Sequence, residues 1–317
     1  MKKGVIITAV VLLSVGLLLL FGGLLLGGGW MSVKATTKTY QLNEAVTDLR
    51  IDTRLADIRL LPSTDGTCSV TYAESEKLYV KASVENGILT VKTVDERNWM
   101  DRTIANADQP LEIRLPGTAY RMLAIENRTG DVTVPDAFLF ESVKINGYTG
   151  DIDFAASASG PVTITASTGD VKLSGISASA LSVVTSTGRI TINGAKIEGD
   201  ATVSVSTGRA EIQHMTCQNF RSEGTTGRLT LTDVLASDAC FIKRSTADVR
   251  FDACDAQTIT VQTSTGNVTG TLLSDKVFVC KASTGKVRVP NTTSGGRCEI
   301  TVSTGDIQIE IVGGTNP

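Results

Sequence analysis

The tripeptide Ser-Thr-Gly, or a close variant, returns every 19 or 20 residues along more than half of this chain. Its third position falls at Gly130, Gly150, Gly169, Gly188, Gly208, Gly227, Ala247, Gly266, Gly285 and Gly305. A fixed period of this length marks stacked supersecondary units. No single repeat carries enough apolar surface to fold alone, so the repeats must share one core.

Alignment on that glycine sorts the residues into columns. Seven and five positions before it the chain is mostly apolar, as at Val162 and Ile164, Ala201 and Val203, Ile259 and Val261, or Phe278 and Cys280. The positions between are polar, for example Thr163, Thr202 and Thr260. Two and four positions after it come Val171 and Leu173, Ile190 and Ile192, Leu229 and Leu231, Val249 and Phe251, and Ile307 and Ile309. Strict alternation with β-branched residues describes a strand buried on one face. Each repeat therefore holds two short strands with a Thr-Gly corner between them. A further apolar residue, such as Ile176 or Leu235, follows in some repeats. Stacked at the strand spacing of about 4.8 Å, ten rungs make a rod roughly 45–50 Å long. Glycine at the corner suits a turn with positive φ. Ala247 breaks the pattern and predicts a different turn or local strain of about 1 kcal/mol.

The pattern predicts an all-β protein, a parallel β-helix-like solenoid of about ten rungs over 126–311. The segment 39–125 is strand-like but irregular and reads as an N-terminal β cap. Within it, Asp52-Thr-Arg-Leu-Ala-Asp-Ile-Arg-Leu60 looks like a degenerate rung. Leu78–Val84 and Gly87–Lys92 flank an Asn86-Gly87 hairpin turn. Lys92 to Pro110 is a long polar insertion carrying Trp99, a residue able to stack on a sugar or to fold back onto the cap. Beyond the repeats only a short tail, 312–317, is left, so the C-terminal rung is expected to present an open edge through which the chain could self-associate.

Val5 to Gly29 carries no charge and is long enough to cross a bilayer as a helix. Lys2 and Lys3 precede it and Trp30 follows, which favours residues 1–4 inside, a span over 5–29, a linker over 30–38 and the rest outside. A cleaved signal peptide ending near Ala35 is the alternative. Thirty Lys and Arg stand against 33 Asp and Glu, a formal net charge of −3. That balance argues against a nucleic-acid partner, which needs surplus cations. The single histidine, His214, removes most hydrolase triads and histidine metal sites; it reads as a surface residue near a strand end without an acidic neighbour.

The sequence resembles the bacterial "putative adhesin" family, a family of unknown function found in short envelope-anchored proteins. The resemblance rests on Arg128-Thr-Gly-Asp-Val-Thr-Val134, Tyr148-Thr-Gly-Asp-Ile-Asp-Phe154, Ser167-Thr-Gly-Asp-Val-Lys-Leu173 and Ser303-Thr-Gly-Asp-Ile-Gln-Ile309. Ala56-Asp-Ile-Arg-Leu60, Asn86-Gly-Ile-Leu-Thr-Val91 and Ile113-Arg-Leu-Pro116 match its upstream part. It covers roughly residues 40–311 and implies a solenoid downstream of one membrane segment in a Gram-positive-type envelope. It carries over no catalytic residue.

Two corner columns are the candidate contact surface. One is the hydroxyl column that includes Thr168, Thr187, Thr207 and Thr226. A regular hydroxyl ladder can meet a repetitive polymer such as a glycan, or a crystal lattice; the alternative is that the hydroxyls cap the turn. The other follows the glycine and reads Asp131, Asp151, Asp170, Arg189, Arg209, Arg228, Asp248, Asn267, Lys286 and Asp306. Three stacked acids suggest Ca²⁺ ligands, and three stacked arginines suggest phosphate or carboxylate groups; a solvated Asx turn is the plainer reading. Asp170 with Arg189, and Arg228 with Asp248, are placed to pair. The repeat lacks the Gly-Gly-x-Gly-x-Asp pattern of Ca²⁺-binding β-rolls, and neither a metal nor a cofactor is expected. Cys240 and Cys298 lie in the −7 column and Cys280 in the −5 column, so they read with Cys68, Cys217 and Cys254 as free core thiols. Cys280 and Cys298 would be about 8 Å apart, beyond disulfide reach. Asn127, Asn267 and Asn291 fit the glycosylation triplet by chance of composition.

These features predict a membrane-anchored binding or structural module outside the cell. Its partner would be a wall glycan or another envelope protein. An envelope-stress accessory that binds a membrane protein is the alternative. A polysaccharide-active enzyme is the remaining one, disfavoured because short regular rungs leave few loops to build a groove.

Overall fold

The computed structural model describes residues 36–97 and 110–312. The span expected over 5–29, the tail at 1–4, Trp99 and residues 313–317 lie outside them. Among the described residues no helix is long and apolar enough to cross a membrane.

The described residues are all β, with 23 strands joined in one continuous sheet system. From Ala119 onward the strands stack in parallel and in phase. Ile145 lies between Ile125 and Ile164, and Ile192 lies between Leu173 and Ile212. The −7, −5, +2 and +4 columns turn inward and are buried, as at Val162, Ile164, Val171 and Leu173. They form one apolar core that runs the length of the stack. The periodicity has this consequence because alternate side chains of a strand face opposite sides, and parallel in-register stacking repeats the choice on every rung.

The corner glycine is required twice over. Gly169 has φ of +137°, and a Cβ there would sit 2.0 Å from the carbonyl oxygen of Gly150 on the rung below. Ala247 takes the same place outside the positive-φ set, so the chain solves this corner with a different turn.

The middle coils, from the Gly169 repeat to the Ala247 repeat, have a third strand as well as the two read from the repeat. Ile176 and Ala178, Ala195 and Ile197, and Met215 and Cys217 point inward from it. In the Gly227 repeat the buried residue is Val234, not the half-exposed Leu235. The second corner sits six residues after the first, in the left-handed region, at Gly175, Gly194, His214, Asp233 and Ala253. Register shifts on this third side mark where the coils vary by one residue.

At both ends the spatial order departs from chain order. Asp48–Thr53 packs beside Ala119–Thr129, with Ile88–Asp95 on its other side. Ile58–Pro62 and Leu111–Leu115 continue these two coils in parallel. The 39–125 region thus supplies two further two-stranded rungs. The true cap is a reversed layer: Cys68–Glu74 and Leu78–Glu85 run antiparallel to the coil beneath, and Thr36–Leu42 adds to the first of them. Asn86 and Gly87 make the expected hairpin turn, with φ of 52° and 78°.

The other end corrects the sequence reading. The C-terminal rung, Gly296–Thr304 and Ile307–Ile311, inserts between Val249–Thr265 with Val268–Leu272 on one side and Lys276–Thr284 with Val287–Arg288 on the other. It is therefore interior. The open edge belongs to residues 276–288.

Candidate functional site

The threonine column forms as expected. Thr149 lies between Thr129 and Thr168, Thr187 between Thr168 and Thr207, and Thr265 between Thr246 and Thr304. All ten threonines before the corner, from Thr129 to Thr304, are exposed. Their hydroxyls make no hydrogen bond to the protein among the described residues, so turn capping is not their role here.

The column after the glycine divides in two. Where it carries Asp or Asn, the side chain is committed to the backbone. Asp57 Oδ1 accepts the N–H of Asp131 at 2.9 Å, Asp131 that of Asp151 at 2.8 Å, Asp151 that of Asp170 at 2.7 Å, and Asp170 that of Arg189 at 2.8 Å. Asp248 serves Asn267, Asn267 serves Asp306 and Asp306 serves Lys286 in the same way. An Asx acceptor fills the gap that the corner leaves in the rung-to-rung ladder. Asp170 therefore meets Arg189 through the main chain, not through an ion pair. No cluster of three metal-ligating side chains occurs among the described residues.

Where the column carries arginine, no side-chain oxygen is available to the next rung; Arg209 and Arg228 face outward and Arg189 is half-buried. Arg189 stacks on Arg209 in register. Arg209 reaches Glu211 at 3.6 Å and Arg228 reaches Asp248 at 3.8 Å, the second being the pair expected from the sequence. Both arginine side chains are more than half exposed, so these contacts hold them weakly. The Nε of Arg189 is buried without a partner. Three cations on successive rungs thus stand beside Thr187, Thr207 and Thr226.

His214 departs from the sequence reading. It is exposed, but its Nδ1 lies 3.0 Å from Asp233 Oδ2 on the next rung. Both occupy the second corner, six residues after Gly208 and Gly227. That shared offset was the signal in the sequence. Asn127 is fully buried and hydrogen-bonded to Thr53, Ala56 and Gly130, so its glycosylation triplet is closed off.

The six cysteines are free. Cys298 faces Phe278 and Cys280 faces Ile300, two residues out of phase as read from the sequence. Cys280 is only half-buried because its rung is the last. Burial pushes every thiol up, Cys280 to about 11 and Cys217 to about 12.

A cavity of about 510 Å³ on the third side is lined by Cys217, Leu235, Asp255 and Lys276 among others. Lys276 is buried there, with Nζ 2.5 Å from Asp255 and 2.7 Å from Ser274 Oγ. The amine is thus tied to two residues of the cavity wall.

A parallel β-solenoid with a reversed β cap and a hydroxyl-and-arginine corner is the class these features define. The Toastrack DUF4097 family model matches residues 46–205 and 199–316, and the chain belongs to that family. Solved structures of similar shape include a putative adhesin from Parabacteroides distasonis, at 12% identity, TM-score 0.50 and coverage of 86% of this chain and 98% of that one. A putative adhesin from Bacteroides fragilis aligns at 12% identity and TM-score 0.47, over 88% of this chain and 98% of that one. The Parabacteroides distasonis likeness concerns the fold alone. No curated protein matches the chain significantly.

Proposed function

We propose that this chain is an adhesin-like binding module of the cell envelope, anchored through residues 5–29, that grips a repetitive anionic polymer along its first corner. It acts by contact and not by catalysis. The observation that carries this reading is the division of the corner column. The aspartates are spent on the backbone, whereas Arg209 and Arg228 face outward and Arg189, half-buried, stacks in register on Arg209, all three beside the exposed threonine ladder. Phosphate or carboxylate groups repeated along a wall polymer would meet guanidinium groups repeated at about 4.8 Å. The name putative adhesin borne by proteins of similar fold agrees with this reading.

The test is binding of the full-length chain to a phosphate-bearing wall polymer and to a neutral glycan, with the variant R189Q/R209Q/R228Q beside it. Tight, salt-sensitive binding to the anionic polymer, weakened at least tenfold in the variant, is the expected result. Equal binding by the variant sinks the proposal. Protease shaving of intact cells carrying a C-terminal tag tests the location, with lysed cells and spheroplasts as controls.

A further inference from the structure

At one end the reversed layer covers the parallel stack, and at the other the last parallel rung is left uncovered. At the open end Lys276–Thr284 pairs only with Gly296–Thr304, and Val287–Arg288 only with Ile307–Ile311, among the described residues. Among the described residues no further strand lies on their outer edge; at its start the Thr292 hydroxyl donates to the Lys276 carbonyl. The core is uncovered at the same place. Val287 occupies the +2 column, which is fully buried on the other rungs, as at Ile190, Leu229 and Ile307, yet here it is 42% exposed. Phe278, Cys280 and Ala282 hold inward columns but are only partly buried. Val277 and Val279 add exposed apolar surface at 38% and 47%. An edge of this kind is a template for one more strand.

Charge decides which strand. From 276 to 288 the rung carries Lys276, Lys281, Lys286 and Arg288 and no acid. Lys276 is taken up by Asp255, whereas Lys281, Lys286 and Arg288 are exposed and form no ion pair among the described residues. A second copy docked edge to edge would set these cations against their own images, which is unfavourable. An extended segment that alternates apolar and acidic residues satisfies both demands. Its apolar side chains would cover Phe278, Cys280 and Val287, and its carboxylates would meet Lys281, Lys286 and Arg288. We infer that the open rung is a docking edge for an acidic extended peptide of a partner protein, taken up by strand addition. This inference is independent of the polymer contact on the corner column.

The experiment uses the full-length chain in mild detergent and two fluorescent 12-residue peptides, one alternating Val and Glu, the other Val and Lys. The Val–Glu peptide is expected to bind, to weaken with salt and to protect the amides of 277–287 from hydrogen exchange. The charge-reversed variant K281E/K286E/R288E should lose at least tenfold for Val–Glu and bind Val–Lys instead; all three positions are exposed, so the fold is retained. Binding of neither peptide overturns the inference. So does equal binding of both, or concentration-dependent self-association of the wild-type chain that masks the edge.

Discussion

Asp306 accepts the backbone N–H of Lys286 at 2.8 Å, so a residue later in the chain supports one that comes twenty positions earlier. Asp306 in turn donates its own N–H to Asn267, 39 positions back. This pair of bonds records the exchange of the last two rungs. A cross-link checks it. Thr265 and Thr304 are direct partners on adjacent rungs, whereas Thr265 and Thr284 are separated by a rung. The pair T265C/T304C is expected to form a disulfide, because parallel neighbours lie within its reach. The pair T265C/T284C should not. Mass spectrometry of non-reduced peptides reads both.

The Asx ladder makes its own prediction. Asp151→Asn keeps the acceptor and should leave stability nearly unchanged. Asp151→Ala removes the partner of the Asp170 N–H and should cost about 1 kcal/mol. If the aspartates serve the backbone, Ca²⁺ or a chelator will not shift Tm in either the wild type or the variants. A Ca²⁺-dependent rise in Tm would restore the metal reading.

Arg244 points into the core where other repeats place Val205, Gly224 or Val302. It is only 4% exposed, and its Nη2 donates to Ser222 Oγ at 2.7 Å while its Nε has no partner. Burial pulls its pKa down to about 10. The space it uses lies over Gly224, which has no side chain to obstruct it. A buried cation without an acid is a candidate for stabilising replacement. Arg244→Met should raise stability by about 1–4 kcal/mol in urea denaturation. A loss would mean that the Ser222 bond outweighs desolvation.

Ala253 sits in the second corner with φ of 52°, where two earlier coils carry Gly175 and Gly194. An L side chain is strained in that region. Ala253→Gly should therefore stabilise the chain by about 0.5–1 kcal/mol, despite the added freedom of the unfolded state. The bond from its N–H to Thr271 Oγ1 is unaffected by the change.

The cap carries a buried carboxylate with a pH signature. Glu74 is 3% exposed at the side chain. Burial alone would raise its pKa, but the Val80 N–H, the Tyr40 hydroxyl and Lys38 hold it below the ordinary value of 4.5. Burial and the bond to Glu74 push Tyr40 up to about 12. Because the folded pKa is the lower one, this stabilisation is present above the unfolded value and fades as pH falls through the folded value. Glu74→Gln should cost about 1–3 kcal/mol at pH 7 and flatten the acid limb below pH 4.5. Denaturation midpoints between pH 7 and pH 3 measure both.

Much of this protein was determined by residue pattern alone. Alternation at Val162 and Ile164 or Val171 and Leu173 decides which side chains turn inward, because a strand has a period of two. The glycine at each corner follows from φ and from the carbonyl of the rung below. The phase of Cys280 and Cys298 keeps them apart whatever the fold does elsewhere. The tertiary structure decided which coil lies on which. Backbone hydrogen bonds between parallel rungs do not depend on side-chain identity, and the end coils present similar apolar columns. The insertion of residues 296–311 between earlier rungs was therefore not legible from their order in the chain. The pairing of His214 with Asp233, and the commitment of Asp151 to the Asp170 N–H, also required the stacked geometry. Each joins residues nineteen apart that meet only when one coil rests on another.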